Sequence, residues 1–373
     1  MSKKKFRKPM GLKLDDSVVN DQLGMSYTVG TDGNAFHRQD VRLDSAGALI
    51  VKGKKSDKTI QSDDLETVGV LGRGASSFVN KVRHLPTGQL MALKVINIYD
   101  KSKREQLMHE IYAMFNARCG ALVAFHGAFF KDNQINIALE YMNEGCLETV
   151  VKSRGVIPEK VLAAVTFQIL WGLAYLKHEK RVHRDIKPQN ILVNDRGEVK
   201  LTDFGISKEL EETMGQCMTF VGTFKYMSPE RIENKKYDYA ADIWSLGIVL
   251  MECATGEYPF AECHSYIEMV QTVLEAEAPT LDSSSFSAEF CEFIKMCIRK
   301  KPGKRGPADV LMGAPWLTQN GANSLKDCQR TVKEWLGATA TGSFGIEALS
   351  LGGGGGGGEG KEGKDGGGSE SKK

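Results

Sequence analysis

Two short polar motifs near the middle of the chain constrain its fold more than any other feature. The first reads HRDIKPQN from His183, and the second reads DFG, with Asp203 thirteen residues after Asn190. Asp185 can orient a substrate hydroxyl and accept its proton, while Lys187 can neutralise a transferring phosphoryl group. Asn190 and Asp203 supply oxygen ligands that a metal ion can use to bridge phosphates. The spacing therefore predicts a site for phosphoryl transfer.

A glycine-rich stretch upstream of these motifs fits the phosphates of a nucleotide. Glycine lets backbone amides approach phosphate oxygens because no Cβ stands in the way. A third glycine of the usual pattern is replaced by Ser77, which keeps the amide and should stiffen the loop. Taken alone, the stretch is equally compatible with an ordinary hairpin turn. Its candidate phosphate-binding residues are Leu71, Gly72, Arg73, Gly74, Ala75, Ser76, Ser77, Phe78 and Val79.

A lysine inside an apolar strand pattern follows, Lys94 in the run ALKVI. A buried ammonium group without an anion is costly. A nucleotide phosphate is a suitable partner, and Glu110 on the following helical segment is the natural second one. The alternative is a lysine whose stem covers the core while its head reaches water. The two polar motifs favour the first interpretation.

The hydrophobic pattern changes along the chain in a way that predicts two lobes. Residues 66–98 and 122–142 contain strand-like runs, separated by a helical segment at 101–116. Long apolar runs with helical spacing follow at 161–177 and 242–256. A sheet-rich half followed by a larger helical half indicates an α+β fold of two lobes with a cleft between them. The apolar face of the 101–116 segment consists of Leu107, Ile111, Met114 and Phe115.

The flanks of this patterned block, residues 65–317, have a different character. Residues 1–20 are basic and then mixed, and 21–64 form an extension with a possible hairpin near 40–52. Residues 318–338 predict a C-terminal helix, whereas 339–373 are rich in glycine and predict a disordered tail. One face of the helix carries Leu325, Cys328, Val332, Trp335 and Leu336.

Composition limits the classes of function and location. Hydrophobic residues make up 41% and charged residues 26%, with a net charge of +2, so bulk charge gives no reason to expect nucleic acid or membrane binding. The eight cysteines include no C-x-x-C pair, which suggests reduced thiols in a cytoplasmic protein. We expect no signal peptide, membrane span or N-myristoylation.

These motifs resemble the eukaryotic protein kinases over residues 65–317 and follow that family's order. The chain also has S-P-E at Ser228 to Glu230 and D-x-W-S-x-G beginning at Asp242. The resemblance implies ATP and Mg²⁺ as cofactors, with Lys94, Glu110, Asp185 and Lys187 as catalytic residues and Asn190 and Asp203 as metal ligands. It also implies that Arg305 pairs with Glu230 and that Asp242 braces the catalytic loop. Both of these contacts are structural.

The family resemblance also implies where adenine binds. Leu139 takes the gatekeeper position at the back of the pocket. Glu140 to Met142 form the hinge, whose backbone binds adenine. Ala92 and Leu192 close the adenine slot from above and below.

A narrower resemblance points to the mitogen-activated protein kinase kinases. Lys187 follows the serine/threonine pattern, and the segment FVGTFKYMSPER is similar to that group, which phosphorylates Thr and Tyr of a T-x-Y loop. Five residues separate Thr213 and Thr219, as in plant and some protist members. We expect phosphorylation of these two sites by an upstream kinase to activate the enzyme, with Arg184 receiving the phosphate. Thr223 is expected to contact Asp185.

The N-terminus resembles the docking sequence with which these enzymes hold their MAP kinase substrate. A basic cluster would meet an acidic groove, and leucines would fill apolar pockets. A nuclear-import signal and a merely solvated tail are the alternatives. The predicted docking residues are Lys3, Lys4, Lys5, Arg7, Lys8, Leu12 and Leu14.

Two other functions remain open at this point, and so does the role of the C-terminal helix. A catalytically dead scaffold with a kinase fold is opposed by Lys94, Glu110, Asp185, Asn190 and Asp203, which are all present. A serine/threonine kinase of another branch is opposed by the activation segment and the docking-like terminus. The C-terminal helix is expected to pack on the domain, although animal relatives dock an upstream kinase near this position.

Overall fold

The computed structural model describes residues 60–73, 77–97, 107, 111–132, 134–204 and 224–340, together with five short strands between residues 28 and 55. These strands form an antiparallel sheet in sequence order. The hairpin predicted near residues 40–52 corresponds to the third and fourth strands, in which Val41 lies opposite Val51. The strands are β1 (Thr28–Val29), β2 (Ala35–Arg38), β3 (Val41–Asp44), β4 (Leu49–Val51) and β5 (Lys54–Lys55).

The small lobe is built on a second antiparallel sheet, with strand order β6-β7-β8-β10-β9. Its strands are β6 (Leu65–Arg73), β7 (Ser77–His84), β8 (Leu90–Asn97), β9 (Phe125–Lys131) and β10 (Gln134–Glu140). Strand β9 lies at one edge, and β3 and β4 pack against it. The sheet of the N-terminal extension therefore lies beside the edge strand of the small lobe.

Alternation along β8 gives the small-lobe sheet two different faces. Met91, Leu93 and Val95 are buried in one apolar cluster, whereas Ala92 and Ile96 pack against another. Successive side chains of a strand point to opposite faces. Lys94 therefore shares the face of Ala92 and Ile96, which is the face covered by the helical segment.

The helical segment of the small lobe is described at residue 107 and at 111–116. Leu107 and Ile111 are buried there, and Met114 and Phe115 are partly buried against the same cluster. All four belong to the apolar face that the sequence predicts. The helix thus packs on the sheet face that carries Lys94.

The large lobe is mainly helical, which confirms the predicted two-lobed α+β fold. Its helices are α1 (Leu147–Arg154), α2 (Glu159–His178), α3 (Pro229–Ile232), α4 (Tyr239–Thr255), α5 (Tyr266–Glu275), α6 (Ala288–Cys297), α7 (Ala308–Leu311), α8 (Pro315–Gln319) and α9 (Leu325–Ala340). Helices α2 and α4 form the centre of the lobe and are buried along most of their lengths. Asp238 begins α4 by accepting a hydrogen bond from the backbone N–H of Ala240.

Helix α2 is the one helix of the described residues that is long and apolar enough to cross a membrane by length and composition. The apolar window of this helix is 72% buried inside the protein. Its side chains pack in the main core of the large lobe, together with residues of α4. Its hydrophobicity is therefore accounted for by the core.

A small sheet carries the polar motifs to the cleft. It consists of β11 (Gly145–Cys146), β12 (Ile191–Val193) and β13 (Val199–Leu201) in that order. Strand β12 directly follows the first polar motif, and β13 ends one residue, Thr202, before the second. Because β12 and β13 pair antiparallel with Ile191 opposite Leu201, the two motifs emerge side by side.

Candidate active site

Lys94 and Asp203 form an ion pair across the cleft, with Lys94 Nζ 2.6 Å from Asp203 Oδ1. The Lys94 side chain is 10% exposed and that of Asp203 is 33% exposed, so the carboxylate is the more accessible partner. The pair gives the buried ammonium group an anion. Sequence reasoning missed this contact, since it considered only a phosphate and Glu110 as partners. Glu110 lies outside the described residues.

The backbone of Asp203 lies in a conformation that few residues other than glycine adopt, with φ of +59°. Such a conformation costs on the order of 1–3 kcal/mol and persists where the surroundings impose it. Phe204, the next residue, is 4% exposed and packs in the core of the large lobe. Burial of Phe204 therefore fixes the chain directly after Asp203, whose carboxylate contacts Lys94.

The loop of the first polar motif holds Asp185 by two hydrogen-bonding side chains. Lys187 Nζ lies 2.8 Å from Asp185 Oδ2, and Asn190 Nδ2 donates to the same oxygen at 2.7 Å. Asn190 Nδ2 also donates to the backbone carbonyl of Asp185 at 2.9 Å. These contacts bring the predicted base, the predicted phosphoryl-neutralising lysine and the predicted metal ligand into one cluster.

Asp242 of α4 holds this loop through the loop's backbone. Its carboxylate accepts backbone hydrogen bonds from His183 and Arg184, both at 2.8 Å. Burial raises the pKa of the Asp242 carboxyl, while His183 and the two backbone donors act in the opposite direction. The bracing contact implied by the family resemblance is present. In addition, Thr202 N donates to Asn190 O at 3.0 Å, which ties the loop to the strand before Asp203.

The donor set facing the cleft suits a divalent cation shared with phosphates. Asn190 uses its amide nitrogen for Asp185, which leaves its amide oxygen as the atom that can bind a metal ion. The carboxylate of Asp203 is a second hard oxygen ligand. Among the described residues, no group of three His, Cys, Asp or Glu side chains could hold a metal ion by itself. Two protein ligands completed by phosphate oxygens and water fit this chemistry.

The predicted adenine slot is apolar. Leu139 and Met142 are buried, and Ala92 and Leu192 are partly buried against the same cluster. Leu139 of β10 lies directly opposite Ala92 of β8. Side chains from the small-lobe sheet and from β12 thus meet at one apolar surface, as an adenine ring requires.

Glu140, the first residue of the predicted hinge, is held by a buried lysine. Lys200 Nζ lies 2.9 Å from both carboxylate oxygens of Glu140, and the backbone N–H of Ala124 donates to Glu140 Oε2 at 3.2 Å. Sequence reasoning did not single out Lys200. Its position between Val199 and Leu201 was the available signal, because a lysine inside a buried strand needs an anion.

The described parts of the glycine-rich stretch form the ends of β6 and β7. Gly72 lies opposite Val79, and Arg73 lies opposite Phe78. Val79 in turn lies opposite Lys94, so the stretch is aligned with the ion pair of the cleft. Leu71 is exposed and Ser77 is half-buried. Gly74, Ala75 and Ser76 lie outside the described residues.

Arg184, the predicted phosphate receptor, is placed next to a second arginine. The backbone carbonyl of Arg184 accepts a hydrogen bond of 2.5 Å from Arg231 Nη1. The guanidinium groups of Arg184 and Arg231 lie 5.8 Å and 5.2 Å from the ring centre of Tyr237. Thr213, Thr219 and Thr223 lie outside the described residues, as do the docking residues Lys3, Lys4, Lys5, Arg7, Lys8, Leu12 and Leu14.

Arg305 and Glu230 form the expected structural pair. Arg305 donates from Nη1 to Glu230 Oε1 at 2.6 Å and from Nη2 to Oε2 at 2.8 Å. Burial raises the pKa of Glu230. The hydrogen bonds and the charge of Arg305 lower this pKa by more than burial raises it, so the carboxyl titrates below its ordinary value. Arg305 also donates to the Ala240 carbonyl at the start of α4. This bidentate pair anchors the end of the S-P-E motif.

Comparison with known protein families matches residues 65–317 to the protein kinase domain. Mitogen-activated protein kinase kinase 3 of Arabidopsis thaliana is 41% identical over 326 residues, or 86% of this chain and 63% of that protein. Mitogen-activated protein kinase kinase 2 of the same plant is 39% identical over 325 residues, or 83% of this chain and 89% of that protein. The dual specificity mitogen-activated protein kinase kinase dSOR1 of Drosophila melanogaster is 36% identical over 296 residues, or 72% of this chain and 74% of that protein.

Proposed function

Because the chain belongs to the protein kinase family, and within it to the mitogen-activated protein kinase kinases, we propose that it phosphorylates a MAP kinase on Thr and Tyr of a T-x-Y loop. The observation that carries this proposal is similarity over 83–86% of the chain to two relatives that are named mitogen-activated protein kinase kinases. The name of a third relative adds dual specificity. The enzyme uses ATP and a divalent cation, as its family does.

The described residues divide the reaction among them. Asp185, oriented by Lys187 and Asn190, accepts the proton of the substrate hydroxyl as its oxygen bonds to the γ-phosphorus. The bond to the β,γ-bridging oxygen breaks, and ADP leaves with that electron pair. Lys187 stabilises the transferring group, and Lys94 holds the α- and β-phosphates. We propose Mg²⁺ as the cation, held by Asn190 and Asp203, where it would neutralise charge on the phosphates.

Control by loop phosphorylation is proposed at Thr213 and Thr219, with Thr219 as the main switch. An upstream MAP kinase kinase kinase would add the phosphates, each bringing about −1.5 to −2 charges. Glu209, Glu211 and Glu212 surround Thr213 with negative charge, which favours Thr219 as the dominant site. The guanidinium of Arg184, beside Asp185, is the proposed receptor of the phosphate.

Substrate capture is proposed to involve the N-terminal basic cluster followed by Leu12 and Leu14. Tethering raises the effective concentration of the MAP kinase at the cleft without changing the chemistry. We also propose a cytoplasmic location, supported by cysteines that are all unpaired in the described part of the chain. Imaging of a fluorescent fusion protein tests the location, and an exclusively organellar or nuclear signal would contradict it.

The proposed substrate class is tested by offering the purified, activated enzyme a panel of MAP kinases and generic protein substrates with ATP and Mg²⁺. We expect strong transfer to at least one MAP kinase and little to the generic substrates. Asp185→Asn serves as the inactive control. Equal transfer to generic substrates would indicate a serine/threonine kinase of another branch, and no transfer to any substrate would favour a scaffold.

A further inference from the structure

Helix α9 lies beyond residue 317, where the match to the kinase domain ends. Its apolar face is buried, with Cys328, Val332, Trp335 and Leu336 between 0% and 4% exposed, and it packs along α2. Ser324 caps its first turn by accepting a hydrogen bond from Asp327 N at 3.2 Å. The helix is therefore a fixed part of the large lobe. Two contacts lead from it to the hinge.

The first contact is made by the turn between β12 and β13. Gly197 in this turn has φ of +77°, and a Cβ atom there would lie 2.0 Å from Gln329 O and 2.6 Å from Lys333 N of α9. Both are backbone atoms of the helix, so they cannot move aside as a flexible side chain could. The turn thus touches α9 so closely that only glycine fits.

The same turn holds the hinge from its other side. Asp195 N donates to Asn143 Oδ1 at 3.0 Å, and Asn143 directly follows the hinge residue Met142 in the chain. Glu198 Oε2 lies 3.4 Å from Lys200 Nζ, the group that binds Glu140. Burial raises the pKa of Glu198. Hydrogen bonds from Arg196 and Asn194, together with the charge of Lys200, lower this pKa by more than burial raises it, so the carboxylate stays ionised beside Lys200.

The second contact runs through Arg154, the last residue of α1. Its Nη1 donates to Leu336 O at 2.8 Å and to Thr339 Oγ1 at 2.5 Å. Its Nη2 donates to Glu144 Oε2 at 2.6 Å. The guanidinium donates to a carbonyl in the last part of α9, where cations are favoured, and joins the helix to the segment that follows the hinge. Arg154 is 17% exposed and Glu144 is 24% exposed, so the bridge is partly shielded from water.

We propose that α9 is a positioning element of the ATP site. It fixes the position of the hinge at Glu140–Met142 through two contacts, one made by Gly197 and the other by Arg154. Backbone groups of the hinge bind adenine in protein kinases, and this inference rests on that assignment. Hydrogen bonds to a flat ring depend on placement within about 0.5 Å. A shift of α9 would therefore weaken ATP binding without touching Asp185 or Lys187.

The test measures ATP binding by calorimetry with the full chain, in the absence of any protein substrate. Gly197→Ala places a methyl group against the helix backbone, and Arg154→Lys keeps the charge but loses the two-armed guanidinium. We expect each to raise the Kd for ATP by about tenfold, which corresponds to about 1.4 kcal/mol of binding free energy. In autophosphorylation assays, KM for ATP should rise while kcat at saturating ATP changes little.

Gly88→Ala is the matched control. Gly88 also has positive φ, +71°, but a Cβ atom there has no neighbour within 4 Å, so it reports the backbone cost alone. If Gly197→Ala and Arg154→Lys bind ATP as Gly88→Ala does, while their melting temperatures fall, α9 only stabilises the fold and the proposal is wrong. Because ATP binding is measured without substrate, failure of this proposal is distinct from failure of the proposed MAP kinase substrate. If Gly197→Ala does not fold, Arg154→Lys decides the question.

Discussion

The ammonium group of Lys94 and the carboxylate of Asp203 lie 2.6 Å apart, although 109 positions separate them in the chain. The pair joins the small lobe to the loop that follows β13, across the cleft between the lobes. The proposed reaction uses both groups, Lys94 towards the phosphates and Asp203 towards the cation. Their contact therefore places two charged groups of the proposed nucleotide site next to each other.

Removal of either partner is expected to abolish catalysis while leaving the fold intact. Lys94→Met and Asp203→Ala should each lower kcat/KM by at least about a hundredfold, because catalysis of this kind rests on positioning and charge stabilisation. The measurement is transfer of labelled phosphate, with folding checked by circular dichroism. Lys152→Met is a control, since the side chain of Lys152 is 71% exposed on α1 and pairs with Glu148 of the same helix. Turnover near that of the wild type in either cleft mutant would refute these assignments.

The buried pair of Arg305 and Glu230 is expected to contribute stability that depends on pH. The pKa of Glu230 lies below its ordinary value of 4.5. A carboxyl whose pKa is lower in the folded state stabilises the fold above its unfolded pKa, and the stabilisation is lost as the pH falls through the folded value. The difference in melting temperature between wild type and Glu230→Gln should therefore be largest near neutral pH and shrink below about pH 4.5.

Arg305→Gln tests the same pair from the other side. It leaves the Glu230 carboxylate buried without its cation, which should cost about 3–5 kcal/mol of unfolding free energy at pH 7. Glu66→Gln is the matched control, because Glu66 pairs with Arg83 at the surface and both side chains are at least half exposed; such pairs contribute about 0–1 kcal/mol. Equal effects of the two substitutions in urea denaturation would contradict the structural role of the buried pair.

Loop phosphorylation is expected to act mainly through Thr219. Thr219→Ala should stay inactive after treatment with the upstream kinase, because it lacks the phosphate that is proposed to bind Arg184. Thr213→Asp combined with Thr219→Asp should give partial activity without that kinase, since a carboxylate supplies less charge than a phosphate. Thr318→Ala, at an exposed position of α8, is the control. Activation of the Thr213→Ala, Thr219→Ala double mutant to the wild-type level would exclude this mechanism.

The N-terminal basic cluster is expected to affect substrate engagement alone. Deletion of residues 1–14 should raise KM for the MAP kinase and leave a generic peptide substrate unaffected, because the cleft is unchanged. The difference should fade at high salt, since exposed charges are screened over about 10 Å at 0.1 M. Deletion of residues 352–373 in the glycine-rich tail is the control. Equal losses on both substrates would rule out docking.

Local patterns in the sequence were sufficient to predict the two lobes and to predict that the polar motifs lie together. Alternation placed Lys94 in a strand, and helical spacing identified the buried face of α9, including Cys328 and Trp335. The contacts of Lys94 with Asp203 and of Lys200 with Glu140 were missed, because they join segments far apart in sequence. Periodicity records which face of an element is buried but not which residue it meets. The sheet of the N-terminal extension was likewise underpredicted as a single hairpin, since very short strands carry little periodic signal.

The most direct test of the proposed function is a map of the phosphates that the enzyme adds to a MAP kinase. A catalytically inactive MAP kinase is incubated with the activated enzyme, ATP and Mg²⁺, and its T-x-Y peptide is analysed by mass spectrometry. We predict phosphate on both Thr and Tyr of that peptide, and none when Asp185→Asn replaces the wild type. Phosphate on serine and threonine elsewhere in the MAP kinase, with the T-x-Y tyrosine unmodified, would contradict the assignment as a dual-specificity MAP kinase kinase.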